Sequence, residues 1–235
     1  MLSFIKNIFN KEIKSEQKDA YDYSKDYISP LNFGHLEKIE VIVPEVEIIN
    51  NVGPEHPTII IIDDIGGMVD LLYIELQRIQ CTKVTQKFNI VLAKGDYAAF
   101  SVKDYMDKGG KVDIAFLDIT LGGVKDNVEL DGVDVALMIK DKNPNSEIRF
   151  ITGHVLNKRN PEVFEFMDKF KTQTGLDIEE EEVYYDEQLE EEILIRKHII
   201  GKNSNRVMLM ALAIEQWLKR NNLYEKFVKK NRHRY

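Results

Sequence analysis

Two adjacent carboxylates, Asp63 and Asp64, close a run of four isoleucines in the stretch Thr58 to Asp64. A third, Asp118, closes the apolar run AFL; a hydroxyl, Thr152, closes RFI; and an ammonium, Lys202, follows HIIG. Side-by-side acids repel, so a site that keeps both ionised calls for a cation. Mg²⁺ is hard, octahedral and reluctant to shed water, so it takes a few carboxylates and phosphate oxygens rather than a full protein cage. With such a cation and Lys202 nearby, the Asp118 carboxylate stays ionised and can attack phosphorus. The same positive charges would screen the transferring phosphoryl oxygens, and the Thr152 hydroxyl would donate to one of them. A threonine at a strand end is ordinary, and a lysine before a helix is usually solvated. The signal is the ordered set, each member at the end of an apolar run.

Those positions need elements to hold them. A short β-branched run bounded by turn signals reads as a buried strand, here Thr58 to Asp63. An amphipathic helix follows, with Met68, Leu72, Leu76 and Ile79 on one face. Further strands are expected at Phe88 to Ala93, Val112 to Leu117, Glu147 to Thr152 and about Ile195 to Ile200. The helices between them start at Gly95-Asp96, with Ala99, Val102 and Met106 inward, and at Asp131, running to about Lys142. The last helix carries Val207, Met210, Ala211, Ile214 and Leu218 in one stripe, capped by Asn203 or Ser204. Strands alternating with helices predict an α/β fold with a parallel sheet covered on both faces. In such a sheet all the carboxyl ends share one edge, where ligands bind.

The segments outside this pattern set the expected organisation. Residues 1–56 read as an extension or linker. Within it, LEKIEVIVPEVEII alternates apolar and acidic residues like a half-exposed strand, which Pro44 confines to an edge or breaks. Phe4, Ile5, Ile8 and Phe9 share a helix face at the start; docking on protein fits it better than a membrane-surface anchor. The main domain spans 57–221, with an insertion at about 155–194. Asn160-Pro161 starts a helix there, Val163, Phe164, Met167 and Phe170 make its apolar face, and Thr174-Gly175 stops it. Asp177 to Glu192 then holds ten acidic residues in sixteen, read as a solvated face or an acidic docking surface for a basic partner. Residues 222–235 form a basic tail.

Composition excludes several classes. The net charge of −8 argues against nucleic-acid binding as the main business, and no DNA-binding domain is evident. The single cysteine, Cys81, rules out an intrachain disulfide framework and fits a reducing cytoplasm. The five histidines show no zinc spacing.

Asp63-Asp64 after IIII, Asp118 after AFL, Asp131-Gly132 opening a helix, Thr152-Gly153 after RFI and Lys202 before the last helix form a pattern. With it, the sequence resembles the receiver (CheY-like) domain of bacterial two-component response regulators, over roughly residues 57–221. The resemblance implies a flavodoxin-like, doubly wound, five-stranded sheet of order 2-1-3-4-5. It implies Asp118 as phosphoacceptor, charged by a histidine kinase or phosphotransfer protein and signalling to a downstream protein by contact. It implies Mg²⁺ bound by Asp64 directly, by Asp63 largely through water, by Asp118 and by the Thr120 carbonyl. Thr152 and Lys202 would read the phosphoryl group, and Thr120 and His154 would tune its lifetime. The chain departs from the pattern in four places. Asn203 stands where a proline usually follows the lysine, and Ile199 where an aromatic is usual. The loop from Asp118 to Asp131 is long, and the region after strand four is expanded. Two other readings compete. A phosphorylation-independent receiver scaffold is favoured by the missing aromatic and proline. A haloacid-dehalogenase-type Mg²⁺ phosphohydrolase is opposed by Thr120, where that chemistry wants a second acid, and by an acid pair that comes early in the chain.

Overall fold

The isoleucine run is a fully buried strand at the centre of the sheet. The computed structural model describes residues 42–153, 161–177, 180–186, 191–202 and 206–228. The segment 1–9, the start of the alternating stretch, His154, the caps Asn203 and Ser204 and the tail from 229 lie outside the described residues. The elements in chain order are β1 (Glu47–Asn50), β2 (Thr58–Asp63), α1 (Gly66–Lys83), β3 (Asn89–Lys94), α2 (Ala98–Asp107) and β4 (Ile114–Leu117). They continue with β5 (Val124–Lys125), β6 (Val128–Glu129), α3 (Gly132–Lys142), β7 (Glu147–Thr152) and α4 (Pro161–Thr174). The last are β8 (Glu181–Asp186), β9 (Glu191–Arg196), β10 (Ile199–Gly201), α5 (Arg206–Arg220) and α6 (Tyr224–Phe227).

The main sheet has the order β1-β3-β2-β4-β7-β10. All its neighbours are parallel except β1, which pairs antiparallel with β3. Without β1, the five parallel strands follow the order 2-1-3-4-5, that of the doubly wound flavodoxin-like fold. Side chains on a strand alternate between faces, and here the alternation divides the core. Ile59 and Ile61 pack with Leu72 and Leu76 of α1 and with Met210, Ile214 and Trp217 of α5. Ile60 and Ile62 pack with Ala99 and Val102 of α2 and with Val133, Ala136 and Ile139 of α3. All four isoleucines are fully buried, each contributing roughly 1.5–3 kcal/mol relative to exposure.

Three regions depart from the minimal pattern. The edge expected around Pro44 is present as β1, so part of the 1–56 segment completes the sheet. The chain divides after Glu40, and every described residue falls in the second unit. The long loop after β4 contains the hairpin β5–β6, whose turn residues Asp126 and Asn127 both have positive φ (53° and 62°), the conformation a two-residue hairpin turn requires. The start of the basic tail is packed: Phe227 is fully buried and stacks on Phe88, with ring centroids 5.7 Å apart.

The fifth parallel strand is shorter than expected. The predicted stretch Ile195 to Ile200 is split, because Glu191–Arg196 pairs with Glu181–Asp186 as a separate antiparallel hairpin. Only Ile199–Gly201 joins β7. The Lys197 amide still donates to the Glu180 carbonyl at 2.8 Å, while the Phe150 amide donates to the His198 carbonyl at 2.9 Å. The chain therefore changes partner between residues 197 and 198. The acidic stretch read as a solvated face is in part strand, and Val183 and Leu194, opposite each other in register, are both largely exposed.

Candidate functional site

Parallel pairing brings the predicted residues to one edge. Asp63 ends β2, Asp118 follows β4, Thr152 ends β7 and Lys202 follows β10. Their order along the sheet follows from β2-β4-β7-β10. One ligand oxygen from each of Asp63, Asp64 and Asp118 lies within 4.8 Å of the others. Asp63 and Asp118 are buried and Asp64 is half-buried.

Lys202 ties the cluster together. Its Nζ donates to Asp118 Oδ2 at 2.7 Å and stands 3.0 Å from Asp63 Oδ2. Burial pulls the ammonium's pKa down, but the bond to Asp118 and the nearby Asp118 and Asp63 charges outweigh it and hold Lys202 above the ordinary lysine value. The second contact is an ion pair without hydrogen-bond geometry, so Asp63 Oδ2 is buried and unsatisfied. The other Asp63 oxygen accepts the Ile65 amide at 2.9 Å, and Asp118 Oδ1 accepts the Ile119 amide at 2.7 Å. Asp64 is pushed above the usual carboxylate range, first by burial and then by the neighbouring Asp63 charge. Three converging carboxylates, one of them with an orphaned buried oxygen, make a donor set that fits a hard divalent cation.

Thr152 is buried beside this set. Its carbonyl accepts the Lys202 amide at 2.7 Å, and its register partner on β10 is Gly201. Thr120 is exposed in the loop after Asp118. Ile199 is buried and offers no ring.

The loops over the site are held by glycines. Gly132 donates its amide to the Ile119 carbonyl at 2.9 Å, and a Cβ built on it would stand 2.1 Å from the Asp118 carbonyl oxygen. That contact explains the residue type in Asp131-Gly132. Asp131 caps α3 reciprocally with Asp134. Both acids also take Lys169 of α4, at 2.8 and 2.9 Å. Phe170, the described side chain of the expected α4 face, is fully buried and sits edge-on to Phe150 at 5.1 Å.

One pair escaped the sequence reading. Arg206, at the start of α5, donates to the Lys202 carbonyl at 2.7 Å and to Glu75 of α1 at 3.0 Å. Glu75 is buried on the apolar face between Leu72 and Ile79. A carboxylate on such a stripe requires a partner, so the signal was present in the helical spacing, but not the identity of the partner.

No family model matches the sequence, and no curated protein does. Among solved structures, the chain is similar to a response regulator receiver domain protein from Clostridium thermocellum, with 14% identity and a TM-score of 0.44 over 71% of this chain and 98% of that one. A BeF3-activated DrrB receiver domain gives 13% identity and a TM-score of 0.42 over 70% and 98%. A fusion carrying a yeast Spc42 trimeric coiled-coil segment gives 16% and 0.43 over 72% and 83%. The fold is defined by the strand order itself: a doubly wound, flavodoxin-like sheet with the acid cluster and Lys202 at its carboxyl edge.

Proposed function

We propose that this chain is a receiver-type phosphoacceptor that takes a phosphoryl group on Asp118 and signals by protein contact. The observation that carries the reading is Lys202, whose ammonium joins Asp118 to Asp63 at the sheet edge. Asp118 acts as the nucleophile. One of its carboxylate oxygens forms the new bond to phosphorus as the bond from phosphorus to the donor atom breaks, and that electron pair leaves with the donor. For a phosphohistidine donor the leaving atom is a ring nitrogen. Lys202 moves from Asp118 to the developing phosphoryl oxygens, where its charge is worth most. Thr152 supplies a hydroxyl on the neighbouring strand. Asp63, Asp64, Asp118 and the Thr120 carbonyl would hold Mg²⁺, which supplies charge neutralisation when bound. The partners are a histidine kinase or phosphotransfer protein and a downstream protein, in the cytoplasm. No turnover of an external substrate is expected.

A phosphorylation-independent scaffold is the second reading, favoured by the buried Ile199 in place of a ring that could change position. Intact-mass analysis separates the two. With Mg²⁺ and acetyl phosphate, the full chain should gain one phosphoryl group and Asp118→Asn should gain none. An unmodified wild type that still binds Mg²⁺ would overturn the phosphoacceptor reading in favour of the scaffold. The decay rate of the modified chain tests the tuning positions, and both Thr120→Ala and His154→Ala should change it.

A further inference from the structure

A polar cavity lies at the opposite edge of the sheet, away from the carboxylate cluster. Its volume is about 500 Å³, and its lining includes Lys140 of α3, Glu147 at the start of β7, Lys197 and His198 before β10, and Arg220 at the end of α5. That volume is in the range of small-molecule sites.

The charges there do not balance. Arg220 and Arg149 both pair with Glu147, Arg149 at 2.7 Å. Lys197 pairs with Glu180 at 2.7 Å. Lys140 has no carboxylate within ion-pair distance among the described residues. Its Nζ donates to the Pro144 and Ser146 carbonyls at 3.1 and 2.7 Å. Among the described residues, the three Lys and Arg side chains that line the cavity share one lining carboxylate, Glu147, while Glu180 pairs with Lys197 from outside the lining. An ammonium has three donors, so two carbonyls leave one N–H of Lys140 uncommitted. Burial holds Lys140 below the ordinary lysine value, and burial together with Arg149 keeps His198 below the usual histidine range. Asn145, Ser146 and Asn221 add neutral polar groups to the wall.

We propose that this cavity binds a small multiply charged oxyanion, carried on phosphate or carboxylate groups, with Lys140 and Lys197 as its principal contacts. Lys197 and Arg220 both hold a carboxylate already, but that of Lys197, Glu180, lies outside the lining, whereas that of Arg220, Glu147, lines the cavity, so Arg220 shapes the wall. The inference does not depend on phosphotransfer at Asp118.

The test is a ¹H–¹⁵N NMR titration of the full chain, freed of divalent metal and then of chelator by dialysis, at low ionic strength, with inorganic phosphate in one arm and citrate in the other. Saturable shifts confined to the amides of residues 140, 145–148 and 197–198 are expected with at least one anion, and the responding arm names the class. Lys140→Gln should weaken binding by about tenfold, the loss expected for one charge-assisted contact. Lys197→Gln should weaken it too, while Lys140→Arg should retain it. Lys103→Gln, an exposed lysine on α2 paired with Asp107, should leave it unchanged. No saturable shift in either arm, or equal weakening by Lys103→Gln, would overturn the proposal. Shifts only at Thr152 and Lys202 would also overturn it, by assigning the anion to the carboxylate edge.

Discussion

Gly132 lies so close to Asp118 that a Cβ on the glycine would stand 2.1 Å from the aspartate's carbonyl oxygen and 2.8 Å from that of Ile119. Backbone packs on backbone there, so no side chain can rotate away to make room. Gly132→Ala should destabilise the fold by about 1–3 kcal/mol, the cost of overpacking a filled interior. It should also slow phosphoryl uptake, because the displaced segment carries the nucleophile. Urea unfolding and the acetyl phosphate assay measure the two effects. Unchanged stability would mean that the loop accommodates a methyl group.

Arg206 and Glu75 form an ion pair between α5 and α1. Removing the arginine leaves a buried carboxylate without its partner, a loss that typically costs about 3–5 kcal/mol for a buried pair. Arg206→Met should therefore be severely destabilising, and Glu75→Leu together with Arg206→Met should recover much of the loss. A double-mutant cycle by denaturant unfolding checks this. Additive losses would show that the two side chains do not depend on each other.

Lys202 competes with any divalent cation for the same carboxylates. Lys202→Gln should tighten Mg²⁺ binding, measured by calorimetry, because a like charge has left the site. The same change should slow phosphoryl uptake by about a hundredfold, the usual cost of losing one donor to a developing anion. Weaker Mg²⁺ binding in the variant would refute the competition.

Asp64 and Lys202 set opposite ends of the pH profile. Asp64 has a raised folded-state pKa, so its contribution to stability is fully present below its ordinary value of 3.8 and is lost as pH rises through the raised one. Mg²⁺ should reverse that loss. At neutral pH a hundredfold excess over its dissociation constant should stabilise the chain by about 2.7 kcal/mol, and the gain should fade on acidification as Asp64 protonates. The folded-state pKa of Lys202 is raised too. Its contribution is complete below the ordinary lysine value of 10.5 and is lost as pH rises through the raised one. Unfolding curves against pH, with and without Mg²⁺, test both. An Mg²⁺ effect independent of pH in the acid range would contradict the role of Asp64.

The doubly wound sheet and the residues at its carboxyl edge are legible in the order of residues alone. Local periodicity carries that information: a β-branched run such as Ile59 to Ile62 specifies a buried strand, and parallel pairing then forces the strand ends together. Which strand the chain joins between Glu180 and Gly201 depends on long-range packing. The run ILI at Ile193 to Ile195 has the same β-propensity whether it pairs with β7 or with Glu181–Asp186, and propensity does not name a partner. The link from Arg206 to Glu75 spans 131 residues, so helical spacing could show that Glu75 needed a cation but not which one. The cavity at the opposite edge was equally hidden, because Lys140, Lys197 and Arg220 are ordinary surface residue types until three separate elements bring them to one wall.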